Sequence, residues 1–213
     1  MPPRRRRQPD GVAVLVTGSR GSGKSTWTMQ QTASASRLLV WDSLGQWSRE
    51  RRVTRVDRLN ELHRLIVTDL QAPGAFRYGY VPINLEAFDT FCRLAYVWLK
   101  AAAGGVLVAE ELADVTSPGK APQAWGAIVR KSRHESSSVI YGLTQRPAES
   151  DKTLPGNADI IHAGRQSFPR DRKTMAEYLD VPLEDVTALE GVEWIERDMR
   201  DRALRRGVLK FKK

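Results

Sequence analysis

A single cysteine among 213 residues, Cys92, excludes an internal disulfide and any cysteine-rich metal site. Lying in an apolar helical stretch, it reads as a small core residue. Histidine is nearly as scarce. His63, His134 and His162 are scattered, none pairs with another at metal-ligand spacing, and no metal role is assigned to them. No apolar run approaches the roughly 20 residues needed to cross a bilayer. Nor does an apolar segment follow the basic start MPPRRRRQPD as it would in a signal peptide. The expectation is a soluble, intracellular protein without a membrane span. Internal repeats are missing, and apart from the arginine run only AAAGG at 101–105 is compositionally biased, reading as a helix end and a loop.

The body of the chain also lacks the basic charge that the total suggests. The formal net charge is +9, yet residues 8–196 hold 22 basic and 23 acidic residues, a net of −1. The excess sits in Arg4 to Arg7 and in residues 197–213, which carry eight basic and two acidic side chains. Basic ends of this kind suit a phosphate backbone, because each neutralised phosphate releases counterions. DNA is therefore the expected polyanion, with solvated tails that bind nothing as the alternative. Two local basic clusters, RERRVTRVDR (49–58) and RKSRH (130–134), either face the same partner or form solvated surface.

Apolar runs bounded by turn residues alternate with helical stretches, the pattern of an α/β domain with a mostly parallel central sheet and helices on both faces. Strands are expected at Val12–Thr17, Leu38–Asp42, Phe76–Val81, Val106–Glu110, Val139–Thr144 and Ile160–Ala163. Helices are expected over Lys24–Ala35, Leu59–Asp69, Leu85–Ala102, Gln123–Arg133 and Arg172–Leu179. Spacing of three and four puts Phe91 and Trp98 in the core, and the six tryptophans, Trp27, Trp41 and Trp125 among them, read as core rather than as stacking platforms. The resulting division is a disordered basic arm at 1–10, one domain at 11–196 and a basic C-terminal tail at 197–213.

The sharpest signal is VAVLVTGSRGSGKST. Gly18, Gly23, Lys24 and Ser25 fit G-x-x-x-x-G-K-[ST] between an apolar strand and a helix, and Gly18, Ser19, Arg20, Gly21, Ser22, Gly23, Lys24, Ser25 and Thr26 form the candidate phosphate site. Glycines let successive backbone N–H groups turn inward around a phosphate, and the helix start adds positive dipole there. Lys24 is expected to reach the β- and γ-phosphate oxygens of ATP, and the Ser25 hydroxyl to ligate Mg²⁺. The N-K-x-D of a guanine site is missing. A small-molecule kinase stays open as an alternative, with FPRDRK (168–173) imitating a lid.

VLVAEELAD (106–114) reads as a buried strand ending in two glutamates where nucleotide-hydrolysing enzymes place a metal-coordinating acid and a water-activating one. The register gives Glu110 the first role and Glu111 the second. The aspartate usual in the first position is absent, and glutamate is one methylene longer. The following strand ends in YGLTQRP, where Gln145 is placed to contact the γ-phosphate or the lytic water, or stands in an ordinary turn.

Together with VWDSLGQWS (40–48) and RKSRHESSSVIYGLTQRPAESDKTLPGNADIIHAGR (130–165), these motifs resemble the FtsK and HerA superfamily of ring-forming DNA-translocating ATPases over residues 12–165. The resemblance implies a RecA-like, additional-strand P-loop fold, a homohexameric ring around double-stranded DNA, and an arginine finger supplied across the subunit interface. Arg146, Arg165 and Arg133 are the candidates, with Arg165 favoured because it follows the last core strand expected from the sequence. A minimal domain with basic ends is similar to the genome-packaging ATPases of membrane-containing viruses. That implies capsid or vertex proteins as partners, and a place in the host cytoplasm or at the virion vertex. The zonula occludens toxin-like assembly proteins of filamentous phages share the arginine-histidine and glutamine pattern but usually carry a membrane span. A scaffold that holds ATP as a structural ligand is the reading from another functional class.

Overall fold

In a computed structural model of the chain, residues 11–101 and 104–211 are described, the side chains of residues 132–135 excepted. The basic arm expected at 1–10 lies outside the described residues, as do Ala102, the expected end of the helix from Leu85, and the last two lysines.

Among the described residues nine strands form one sheet: β1 (Val12–Thr17), β2 (Arg37–Trp41), β3 (Thr54–Val56), β4 (Phe76–Tyr80), β5 (Val106–Ala109), β6 (Val139–Thr144), β7 (Ile160–Gly164), β8 (Glu193–Asp198) and β9 (Leu204–Val208). Their order is β3-β4-β2-β5-β6-β1-β7-β8-β9. The first seven are parallel, and β8 and β9 add antiparallel to the β7 edge. Eight α-helices accompany them among the described residues: α1 (Lys24–Gln31), α2 (Gln46–Arg49), α3 (Leu59–Gln71), α4 (Phe88–Ala101), α5 (Leu112–Val115), α6 (Gln123–Glu135), α7 (Pro169–Leu179) and α8 (Leu183–Thr187). The mostly parallel α/β class expected from the sequence is the observed one. β6 lies between β1 and β5, which is the arrangement that defines an additional-strand nucleotide fold: the strand after the two glutamates is inserted beside the strand before the phosphate loop.

Side chains alternate across each strand, so a continuous apolar run supplies both faces at once. Ala13, Leu15, Leu39, Trp41, Leu107 and Ala109 pack with Phe91, Trp98, Trp125 and Ile128 of α4 and α6. Val14, Val16, Leu38, Val40 and Val108 point the other way, onto Met29 of α1 and Trp47 of α2. Phe91 and Trp98 are fully buried, as their spacing implied, and so are Cys92, Trp41 and Trp125, also expected in the core. Burial of each large side chain contributes roughly 1.5–3 kcal/mol, so this aromatic layer anchors one face of the sheet.

Trp27 departs from that pattern. It is only partly buried, and its indole stacks on the His162 ring at 3.8 Å between centroids.

Two expectations need correction. The boundary at residue 197 cuts through β8, and residues 204–208 are a strand of the sheet, so this stretch is an integral edge rather than a tail. The sequence hid it because two adjacent arginines and a glycine separate its only aliphatic residues, leaving an exposed strand without an apolar run. For the same reason β7, after which Arg165 comes, is not the last core strand. The short elements α2, β3, α5 and α8 were not anticipated either, since three to five residues show too little of a period.

Candidate nucleotide site

The carboxyl ends of β1, β5 and β6 converge on one cleft of about 670 Å³, within the usual range for small-molecule sites. β1 ends at Thr17 and the chain turns through Gly18 (φ 153°), Gly21 (φ 80°) and Gly23 (φ 86°) before α1 begins at Lys24. The left-handed backbone at Gly23 admits glycine most easily, and a Cβ there would lie 2.5 Å from Leu209 Cδ2.

The nine candidate residues of the loop divide in two. Arg20, Gly21, Gly23, Lys24, Ser25 and Thr26 line the cleft. Gly18, Ser19 and Ser22 do not. They brace the loop instead: Gly18 N donates to the Thr144 carbonyl at 3.3 Å, Ser19 N to the Arg165 carbonyl at 2.8 Å, and Ser22 N to the Ser19 carbonyl at 3.1 Å. The first helical bond of α1 is Trp27 N to the Gly23 carbonyl, so the amides of Lys24, Ser25 and Thr26 have no intrahelical acceptor and head the helix dipole.

β5 brings both glutamates to this loop. Ser25 Oγ donates to Glu110 Oε1 at 2.9 Å, although 85 residues separate them. Glu110 is 3% exposed, and its Oε2 is buried without a well-formed hydrogen bond. Burial pushes its carboxyl up to about 7; donors on Trp47 and Ser25 oppose the rise, and the negative charges of Asp42 and Glu111 add to it. A hydroxyl beside a carboxylate with one unsatisfied buried oxygen is a donor set that fits Mg²⁺, a hard cation that takes oxygen ligands and keeps several waters. The longer side chain of glutamate therefore reaches the serine without displacing the strand.

Glu111 stands at φ 49°, ψ 58°, a left-handed conformation unusual for a non-glycine residue, at the start of α5. That turn aims its carboxylate across the cleft. Oε1 lies 3.3 Å from Lys24 Nζ and accepts a hydrogen bond of 2.8 Å from Gln145 Nε2, while Oε2 accepts from Gln145 N at 3.3 Å. Lys24, Glu111 and Gln145 are thus brought together from β1, β5 and β6.

The arginines separate. Arg165 sits beside its own chain's phosphate loop, with its carbonyl taken by Ser19 and Nη2 donating weakly to the Arg20 carbonyl at 3.4 Å. Arg146 is committed elsewhere. Its Nε donates to Asp171 at 2.8 Å, Nη2 bonds Glu149, and the guanidinium lies over the Phe168 ring at 4.1 Å. The Arg133 side chain lies outside the described residues.

Four cleft residues escaped the sequence reading: Leu44, Gln46, Arg49 and Phe211. The first three follow from a turn built on Asp42. Its buried carboxylate accepts from Trp47 N (3.2 Å), Ser48 N (3.0 Å) and Ser48 Oγ (2.7 Å), and Gly45 at φ 66° lets the chain enter α2. The D-S-L-G-Q-W stretch carried that signal. Phe211 carried none, because only β8 and β9 bring the C-terminus back to the loop.

No protein-family model matches this chain. Protein P9 of Pseudoalteromonas phage PM2 is 32% identical over 183 residues, covering 85% of this chain and 81% of that protein. The genome packaging NTPase B204 of Sulfolobus turreted icosahedral virus 2, in complex with AMPPCP, has a similar fold: TM-score 0.70, 17% identity, 93% of this chain and 97% of that one. The N-terminal domain of zonular occludens toxin from Neisseria meningitidis is more distant, at TM-score 0.52 and 14% identity over 96% of each chain. Among the described residues, no helix is long and apolar enough to cross a membrane. With 32% identity across most of both chains, this chain belongs to the same family as protein P9 of phage PM2, and it shares the fold of the genome packaging NTPase B204.

Proposed function

We propose that the chain is an Mg²⁺-dependent ATPase whose turnover moves double-stranded DNA into a viral capsid, acting as a homohexameric ring. The observation that carries this reading is the meeting of Lys24, Glu111 and Gln145 opposite the Ser25–Glu110 pair in one cleft. The fold shared with a genome packaging NTPase supports the packaging role, and kinship with a phage protein supports a viral setting.

Each residue has a definite task. Lys24 exchanges the Glu111 carboxylate for β- and γ-phosphate oxygens when nucleotide enters. Glu111, released, accepts a proton from the attacking water, and Gln145 fixes that carboxylate and senses the γ-phosphate. Ser25 and Glu110 would hold Mg²⁺, which would supply charge neutralisation at the phosphates. Arg165 is the preferred finger. It lies at the rim beside the phosphate loop, whereas Arg146 is tied to Asp171 and Glu149. The basic arm at 1–10 and Arg205 and Arg206 on the edge strand are the contacts for DNA phosphates, with capsid or vertex proteins as docking partners.

Phosphate release by the full chain, with and without double-stranded DNA, tests the proposal. Several-fold stimulation by DNA is expected. Transfer of the phosphoryl group to a nucleoside or metabolite instead of water would overturn it in favour of a kinase.

A further inference from the structure

Phe211 is an exposed aromatic at 62% relative exposure, yet it stands at the junction of two cavities. On one side is the phosphate cleft, whose far end is formed by Glu110, Glu111 and Gln145. On the other is a smaller cavity of about 160 Å³, the size of one heterocycle rather than a whole nucleotide, floored by Met29 and Ala33 of and after α1. Thr26 and Phe211 line both. A triphosphate whose γ-phosphate lies at Glu111 and whose β-phosphate lies in the loop therefore runs past Thr26 toward this second space.

The segment that presents Phe211 is pinned at three points. Leu209 N donates to the Val192 carbonyl at 3.0 Å, and the Leu209 side chain, almost fully buried, packs on Gly23. Gln30 Nε2 donates to the Lys210 carbonyl at 2.8 Å. An exposed aromatic side chain carried on a backbone pinned up to the preceding residue can stack a base at reduced entropic cost.

We infer that Phe211 is the platform on which the nucleobase stacks, with the Met29–Ala33 cavity as the base subsite, so that the edge strands β8 and β9 complete the nucleotide site. The inference rests on the nucleotide-binding reading given above.

The polar side chains around the cavity offer little edge recognition. Gln30 is occupied by the Lys210 carbonyl, Glu50 accepts from Gln46 Nε2 at 2.9 Å, and Arg52 is exposed to solvent. Binding here depends on the π-face, which every base has, so the site tolerates different purines.

Titration calorimetry on the full chain with Mg²⁺ present separates the subsites, using ATP, GTP and inorganic triphosphate as probes. Phe211→Ala should weaken ATP and GTP alike by roughly tenfold, with triphosphate affinity unchanged. Phe211→Trp should restore both nucleotides. Since the ring is largely exposed, neither substitution threatens the fold. If Phe211→Ala weakens triphosphate as much as ATP, or leaves ATP untouched while the parent protein binds it, the platform assignment fails and the nucleotide reading stands. A parent protein that binds none of the three probes overturns both.

Discussion

Lys24 Nζ and Glu111 Oε1 stand 3.3 Å apart, both side chains nearly buried, so the proposed phosphate-binding cation and the proposed water-activating base hold one another. A lysine cannot serve the carboxylate and a γ-phosphate at full strength at once. In the proposed mechanism, nucleotide entry loosens this pair, which would couple binding to release of the base.

Glu111→Gln should remove hydrolysis, by on the order of 10²-fold or more, while ATP affinity is kept or increased because Lys24 no longer has a competing carboxylate. Single-turnover hydrolysis beside equilibrium binding gives the measurement. Substantial residual turnover would favour a scaffold that holds ATP as a structural ligand.

Glu110 makes stability depend on pH in a definite direction. Its carboxyl titrates near 7 when folded and near the ordinary 4.5 when unfolded, so between those values the folded state holds the extra proton. Stability therefore falls as pH rises from 4.5 to 7, and the full cost, up to about 3 kcal/mol, is present above pH 7. Glu110→Gln should raise the melting temperature most above pH 7, with the difference from the parent shrinking toward pH 4.5.

Arg146 and Arg165 should separate by phenotype. Arg146→Ala leaves the buried Asp171 without its cation and should cost about 1–3 kcal/mol of stability in chemical denaturation. Arg165→Ala should leave stability nearly unchanged yet reduce turnover by on the order of 10³-fold, in assembled protein only. Equal loss in dilute monomer would show that Arg165 acts within its own subunit.

Truncation before Arg197 should unfold the β7 edge rather than trim a tail. It removes β9, the end of β8 and the Leu209 contact on the phosphate loop, and the expected drop in melting temperature is roughly 10 °C. Deleting residues 1–8 should instead spare the melting temperature. It should weaken DNA binding and reduce the slope of log affinity against log salt by up to about 4, one for each of Arg4 to Arg7. An unchanged slope would make the arm a bystander.

The elements around the cleft were legible in the sequence because their physics is local: the glycines that turn the chain into α1 and the apolar runs of β1, β5 and β6 each announce themselves through backbone conformation or period. β9 was read as a tail because its exposed, arginine-rich strand shows no apolar run, and Phe211 was missed because nothing near it in sequence belongs to the site.

By itself the sequence determined the class of the sheet, the phosphate loop and the pair of glutamates at the end of β5, since an apolar strand, a glycine-rich turn and a helix start depend on neighbouring residues. Only the tertiary structure decided that Glu110 reaches Ser25, that Glu111 turns through a left-handed backbone to Lys24 and Gln145, that Arg146 is bound up with Asp171, and that the C-terminal strands return over Gly23 to set Phe211 beside the cleft. Those contacts join residues far apart in the chain, and the strand order that brings β6 between β1 and β5 is what places them within reach.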